Sequence, residues 1–594
     1  MDNRGEYLRA KEPGGREKAH AWKTAIGLQK VDGLILFVLA LSASLANAAE
    51  VRLAGRYGKR MDDMVNYHVM NRNPIRFSDC YHDHRAEKTW ETEFWGKYMH
   101  SAVPFCRYTK SRALRKAVDL SAADVVSAQL PDGYLGNYRE DRRCVKCLGW
   151  EAWGFKYTLL GLLYHHDLTG SADSLAAARR LADYVDDRYG PAGKAPCKLW
   201  ESGSFAGLAS CSILEPIVWL YRVTKERRYL DLAAETVRQM TEVDDPCAPN
   251  LRFPMERGID VADRPLEPGK RVPERDWHYY INTKSYEQMS CLYGLLDYAA
   301  VSGRKDLADL VLATAENIRR TERMITGGLS CAESWCHGAT EQTRLKHPDS
   351  ASETCVLITW MRLCERLLRD TGDITWADEL ERTFYNAYLA ALHPTGSTFA
   401  KYHPFNGHRR FHSQQCGMGC NCCDANGPRG FLSVMDALAV ERKDRLDLNL
   451  WIDSTVRASV AGGDVKLRIE TSYPTGGVSR VTFEQGRAAN WTLALRIPAC
   501  VASASVAVNG AEASGATPGA YCRIAREWKK GDKVSVRFAL KEERLALNGC
   551  HAVTRGPLVM AKDSRFGDTL VDFETAGNQW SPVNTYVTWM SDGE

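Results

Sequence analysis

The sequence predicts a mainly α-helical ring of antiparallel helix pairs followed by an antiparallel β-sandwich. Three observations carry this. A helix–turn–helix pattern recurs five times in the first two thirds of the chain, the apolar period changes near Val440, and turn residues separate the alternating segments that follow. At 594 residues the chain exceeds one ordinary core, so more than one domain is expected.

Residues 1–48 read as an N-terminal extension and signal peptide. Gly33 to Ala49 holds no charged residue, Leu34 to Leu41 is strongly apolar, and Lys23 and Lys30 lie upstream. Ala46-Asn47-Ala48 supplies the small residues of a cleavage site, so cleavage is expected near Ala48. The uncharged run is short of the roughly 20 residues a membrane span needs. Export to the periplasm or the medium is expected, with no stable membrane span.

Residues 49–440 are expected to form the helical domain. The turns fall at Thr109-Lys110, Thr169-Gly170, Thr224-Lys225, Ser302-Gly303 and Thr371-Gly372, each between two apolar helical stretches. Short turns of this kind join antiparallel helices. Five pairs, with a sixth from flanking segments, close a ring; the irregular interval argues against a solenoid. Within Glu353 to Asp370, Val356, Trp360, Leu363 and Leu367 share one face. Ser350 and Glu353 have the capping-box spacing of a helix start.

Residues 441–594 read as the β-sandwich. Val465-x-Leu467-x-Ile469, Trp491-x-Leu493-x-Leu495-x-Ile497 and Val534-x-Val536-x-Phe538 repeat every two residues. Asn509-Gly510 and Lys530-Gly531-Asp532 supply the turns.

Composition narrows the partners. A formal charge of +4 over this length, with no basic stripe, argues against nucleic acid. Nineteen cysteines in an exported chain suggest disulfides, but the number is odd and four crowd into Cys416, Cys420, Cys422 and Cys423. Adjacent cysteines rarely bridge each other. Cys144 and Cys147 form an isolated CxxC, read as a disulfide or a free pair.

Three clusters are candidates for chemistry. One is Thr326-Gly327-Gly328 followed by Cys331-Ala332-Glu333-Ser334-Trp335; the second is Ser352-Glu353-Thr354-Cys355; the third runs from Cys416 to Arg429. A tetrahedral zinc site takes thiolates, imidazoles or a carboxylate. Glu353 and Cys355 at a helix start, with Cys422 and Cys423 from a second loop, could meet at one ion. Each also has a structural reading. Glu353 could pair with Ser350 as a cap, Cys355 could be a buried helix cysteine, Cys422 and Cys423 could form disulfides to distant partners, and Glu333 could be a solvated surface carboxylate.

Read in order, Glu353-Thr354-Cys355, Glu379 to Asn386 (ELERTFYN), Tyr402-His403-Pro404 and Cys422-Cys423-x-x-Asn426 resemble the β-L-arabinofuranosidase family, glycoside hydrolase family 127 and its relatives. Asp132-Gly133-Tyr134-Leu135 resembles that family's DGYL loop. Leu495-Arg496-Ile497-Pro498, Val508-Asn509-Gly510, Trp528 to Asp532 and Arg555-Gly556-Pro557-Leu558-Val559 resemble its β-domain. The resemblance implies an (α/α)6 barrel followed by β-sandwich material. It implies Zn2+ held by Glu353, Cys355, Cys422 and Cys423, with Cys422 as the catalytic nucleophile. It implies a glutamate acid/base after the Thr-Gly-Gly turn, Glu333 or alternatively Glu341, and substrate contacts from Tyr402 and Asp132. The reaction would be retaining exo-hydrolysis through a thioglycosyl intermediate, releasing β-L-arabinofuranose or a related sugar from glycan side chains. Histidines that would line the sugar pocket are missing around Ser210 to Tyr221 and Lys284 to Gly294, so the sugar-recognition shell is altered. A non-catalytic glycan-binding protein with a structural zinc, and a polysaccharide lyase, are the alternatives.

Overall fold

The computed structural model describes residues 47–591, apart from 147–148, 244, 246–247, 264–282, 407–408, 487–488, 573–574 and 576–585. The apolar run of the expected signal peptide and Cys147 of the CxxC pair lie outside these residues. No helix among the described residues is long and apolar enough to cross a membrane.

Helix α1 (Gly55–Met64) precedes the five expected pairs. These are α2 (Glu93–Thr109) with α3 (Arg112–Ser127), α4 (Glu151–Thr169) with α5 (Ala172–Tyr189), and α6 (Leu214–Thr224) with α7 (Arg227–Thr241). Then come α8 (Ser285–Ser302) with α9 (Lys305–Thr321), and α10 (Thr354–Thr371) with α11 (Thr375–Thr383). The short α12 (Cys422–Asn426) and then α13 (Arg429–Leu438) follow. The first helix of each pair packs on the next, and α13 packs on α10 and α2 to close the inner ring.

One local device makes all five turns. The last helical Thr or Ser donates its hydroxyl to the carbonyl four residues back, as Thr169 does to His165 O at 2.6 Å and Thr371 to Leu367 O at 2.6 Å. It then accepts the N–H two residues on, Ser171 N at 2.9 Å and Asp373 N at 3.0 Å. The residue between turns left-handed: Lys110, Gly170, Lys225, Gly303 and Gly372 have φ of 55°, 74°, 62°, 72° and 71°. This satisfies carbonyls that a helix end would otherwise leave open.

Helix α13 ends at Leu438, and the strand Ala439–Arg442 follows at once. Among the described residues eighteen short strands form three sheets, counting β1 (Asn47–Ala48) and β2 (Glu50–Leu53). The remaining strands used here are β3 (Ala439–Arg442), β4 (Arg445–Leu448), β5 (Ser454–Val460), β6 (Gly463–Thr471), β7 (Val478–Gly486), β8 (Ala489–Ile497), β9 (Val501–Val508), β10 (Ala511–Ala513), β11 (Ala520–Trp528) and β12 (Lys533–Leu540). One sheet runs β1-β3-β4-β8-β11 and its partner β10-β9-β12-β7-β6-β5-β2. Val465, Leu467, Ile469, Trp491, Leu493, Leu495, Val534 and Val536 are buried as their alternation requires. Phe483 stacks on Trp528 with centroids 4.6 Å apart. The pairing departs from a purely antiparallel sandwich at β4 and β8, which run parallel. A third sheet, built from Glu542–Leu547, Cys550–Arg555, Leu558–Asp563 and shorter strands, was not foreseen from the sequence.

Two contacts fasten helices to sheets. Arg496 on β8 has no exposure and reaches Glu381 of α11 at 2.8 and 3.1 Å, Asn449 O at 2.7 Å, and Asp378. Asn386 donates to Pro557 O at 2.9 Å and accepts from Val559 N at 2.8 Å.

Candidate active site and metal centre

Glu353 is the N-cap residue of α10, but its side chain makes no cap hydrogen bond, and Ser350 belongs to a separate short 3-10 turn. The capping-box expectation is therefore corrected, and the carboxylate is free for another task. The backbone fixes it there: Glu353 N donates to Ser330 Oγ at 3.2 Å, and Thr354 N donates to Lys401 O at 2.9 Å.

Cys422 and Cys423 open α12, whose N-cap Asn421 accepts Asp424 N at 2.8 Å. Asp424 accepts in turn from Thr398 Oγ1 and Phe399 N, both at 2.9 Å, and pairs with Arg72. These bonds aim the two thiols at the start of α10. Ligand atoms of Glu353, Cys355, Cys422 and Cys423 all lie within 4.8 Å of one another. Cys423 Sγ sits 3.3 Å from Glu353 Oε1 and 3.9 Å from Cys422 Sγ. Glu353 Oε2 is buried without a hydrogen-bond partner. Leaving such an oxygen unsatisfied is costly, and a cation among three sulfurs would satisfy it. The donor set fits a metal ion of the zinc type.

The reading of Cys422 and Cys423 as disulfide-bonded to distant partners is corrected as well. All 17 described cysteines, Cys144, Cys355, Cys422 and Cys423 among them, are free thiols. Burial pushes the Cys355 and Cys423 thiols and the Glu353 carboxyl well up. Cys422 goes the other way, well below its ordinary value. Hydrogen bonds from Cys355 and Cys423 favour its thiolate, and the charges of Lys97 and Lys401 add to this. Cys422 is also the one donor of the four that is not fully buried.

Glu333 sits at the tip of a tight turn. Cys331 and Ser334 exchange backbone bonds at 3.1 Å, and Ala332 and Glu333 between them have φ of 49° and 69°. That is a two-residue hairpin that normally uses Asn-Gly. Holding Ala and Glu there costs about 1–2 kcal/mol per residue. The turn is docked on the start of α8 through Ser285 N to Glu333 O at 3.1 Å. The carboxylate receives Lys284 Nζ at 2.5 Å, Lys401 Nζ at 2.6 Å and Tyr402 OH at 2.7 Å. Both lysines hold its carboxyl well below the usual range, against the opposing effect of burial. Its reading as a solvated surface residue is thereby overturned.

Two further expected site residues are exposed and make no hydrogen bond or ion pair, among the described residues, with the four donors or with Glu333. Asp132 is exposed, and its carboxylate accepts Tyr134 N at 3.0 Å; the DGYL loop uses it to make a turn. Glu341 is exposed at the end of the short helix Gly338–Glu341. Three lysines escaped the sequence reading. Lys284 stands in one of the segments that lack the expected histidines, and Lys401 directly precedes Tyr402. Lys97 has no exposure, pairs with Glu93 at 3.1 Å and lies over the rings of Tyr157 and Tyr286 at 5.2 and 5.0 Å. The only signal for Lys97 was its place, four residues after Glu93, on a helix with no other Lys, Arg, Asp or Glu before Arg107.

Comparison with known proteins follows this geometry. The profile of the β-L-arabinofuranosidase GH127 catalytic domain matches residues 50–436, and that of the GH127 middle domain matches residues 445–540. The chain is 22% identical over 502 residues to a non-reducing end β-L-arabinofuranosidase of Bifidobacterium longum subsp. longum, covering 78% of this chain and 74% of that one. Among solved structures, a GH127 β-L-arabinofuranosidase from Geobacillus stearothermophilus T6 matches with a TM-score of 0.72 at 19% identity, over 91% of this chain and 100% of that one. A second GH127 β-arabinofuranosidase matches with a TM-score of 0.72 at 19% identity, over 92% and 98%. At that identity the two structures speak to the fold.

Proposed function

The chain belongs to the β-L-arabinofuranosidase family GH127 and is a glycoside hydrolase, and from that premise we propose a retaining, exo-acting enzyme that releases β-L-arabinofuranose or a related sugar from glycan side chains. The observation that carries this is a division of labour. Four donors converge, Cys422 is the accessible one, and a separate carboxylate, Glu333, is held outside the group.

Glu353, Cys355, Cys422 and Cys423 would hold Zn2+, whose charge keeps the sulfurs as thiolates. Cys422 Sγ attacks the anomeric carbon, forming the C–S bond as the C–O bond to the leaving group breaks. Glu333 gives its proton to the departing oxygen. Water then attacks the same carbon, the C–S bond breaks, Cys422 regains its thiolate, and Glu333 takes the proton from water. Lys284 and Lys401 favour ionised Glu333, the form that accepts this proton. The first step needs Glu333 protonated, so it requires that the bound sugar weaken the hold of these cations on the carboxylate. Tyr402 OH fixes the orientation of the carboxylate. Two inversions at one carbon give retention.

The uncharged run from Gly33 to Ala49 supports action after export. The test is hydrolysis of a nitrophenyl β-L-arabinofuranoside, with the anomer of the product read by NMR and bound zinc by mass spectrometry. Glu333→Gln should lose about 10²- to 10⁴-fold in rate while keeping its zinc. Cys422→Ser should abolish turnover. An unchanged rate in Glu333→Gln, or an inverted product, defeats the mechanism; a glycan-binding protein would show no turnover at all.

A further inference from the structure

A cavity of about 990 Å³ lies at the opposite end of the helical ring from the thiols. Its walls come from α2, α10 and α13 on one side and from β2, β5 and β6 on the other. Cys355 begins α10 at the metal centre and Arg369 ends it at this cavity, a separation of about 21 Å along the helix. The volume is that of a small-molecule site.

Its charge is one-sided. Eight Lys or Arg side chains line it against three carboxylates, Glu50, Glu365 and Asp436. Glu365 is taken up by Arg369 at 3.2 Å, and Asp436 has its carboxyl pushed up to about 7 by burial and by Glu365. Arg52, Lys110, Arg429 and Arg457 have no ion-pair partner among the described residues. Arg429 is 3% exposed; its guanidinium bonds Asn426 Oδ1 at 2.6 Å, and its Nε–H has no acceptor. Beside it His100 is 3% exposed, its ring tilted against that of Tyr164 with centroids 4.6 Å apart, and its Nδ1 is unpartnered. Arg362 is laid over Tyr293 at 4.1 Å. A buried guanidinium with an open donor carries a desolvation cost that an oxyanion offsets through charge-assisted, often bidentate, bonds.

We propose that this cavity is a second ligand site, separate from the reacting centre, that binds a small oxyanion, either free or carried on a sugar as a carboxylate or phosphate. Arg429 provides the deep contact, and Arg52 and Arg457 close over the anion from the strands. Sites of this kind recognise charge and planarity more than the rest of the ligand.

The test is calorimetric titration of the full chain with phosphate, sulfate, glucuronate and glucose 6-phosphate at matched ionic strength. One saturable site is expected. Arg52→Gln combined with Arg457→Gln, both exposed side chains on strands, should weaken it about tenfold or more. Lys533→Gln, on β12 away from the cavity, should leave it unchanged. Arg429→Gln, checked for folding by its melting transition, should abolish it. Tighter binding of the two sugars assigns a sugar-borne anion, and equal affinity for the inorganic ions assigns a free one. No saturable binding by any of the four, or equal losses in the Lys533 control, overturns the proposal.

Discussion

Glu333 is gripped by Lys284, Lys401 and Tyr402 at once, so its proton affinity belongs to its neighbours as much as to itself. Removing one cation relieves the depression: in Lys401→Met its carboxyl titrates at higher pH. The limb of the kcat/KM profile set by Glu333 should then move upward by about one unit, read from initial rates across pH. A limb that stays in place would show that Glu333 does not titrate in the reaction. The four candidate metal donors were legible in the sequence because their chemistry is odd there: two adjacent cysteines, and a glutamate and a cysteine two apart. The lysines were not, since a lysine in a single sequence reads as solvated and only tertiary packing reveals that Lys97 and Lys284 are buried. Asp132 shows what a motif match leaves open, for in the structure its carboxylate accepts the Tyr134 N–H within its own turn.

At the scale of elements, the helix pairs were the most readable part, because each turn is made by local bonds of one Thr or Ser. Close packing between helices was not readable. Gly161 of α4 is an example: a Cβ there would lie 2.3 Å from the Trp95 ring of α2. Gly161→Ala should therefore destabilise the chain by about 1–3 kcal/mol despite the better helix propensity of alanine, measured as the denaturant midpoint. A stabilised variant would mean that the two helices can separate at no cost. Strand alternation was also legible, but the parallel β4–β8 pair and the third sheet depend on partners distant in sequence, which alternation does not encode.

Across the whole molecule, several motifs that carried the family resemblance but no chemistry turn out to be fasteners. Glu381 and Asn386 of ELERTFYN hold Arg496 of the LRIP strand and the backbone of Pro557 and Val559. Arg496→Met would strand two carboxylates at the junction and should cost about 3–5 kcal/mol, seen by calorimetry as a lower transition temperature; an unshifted transition would assign the junction to apolar contact alone. The junction is not the only link between distant parts. Strands β1 and β2 lie before every described helix, yet β1 pairs with β3 and β2 with β5, Glu50 standing opposite Arg457. When the ribosome makes this chain, the edge partner of β2 appears only after some 400 further residues, about 20–80 s later at ordinary elongation speeds. Until then β2 waits unpaired, and its sheet is completed only when the segment after the helices returns to the strand before them.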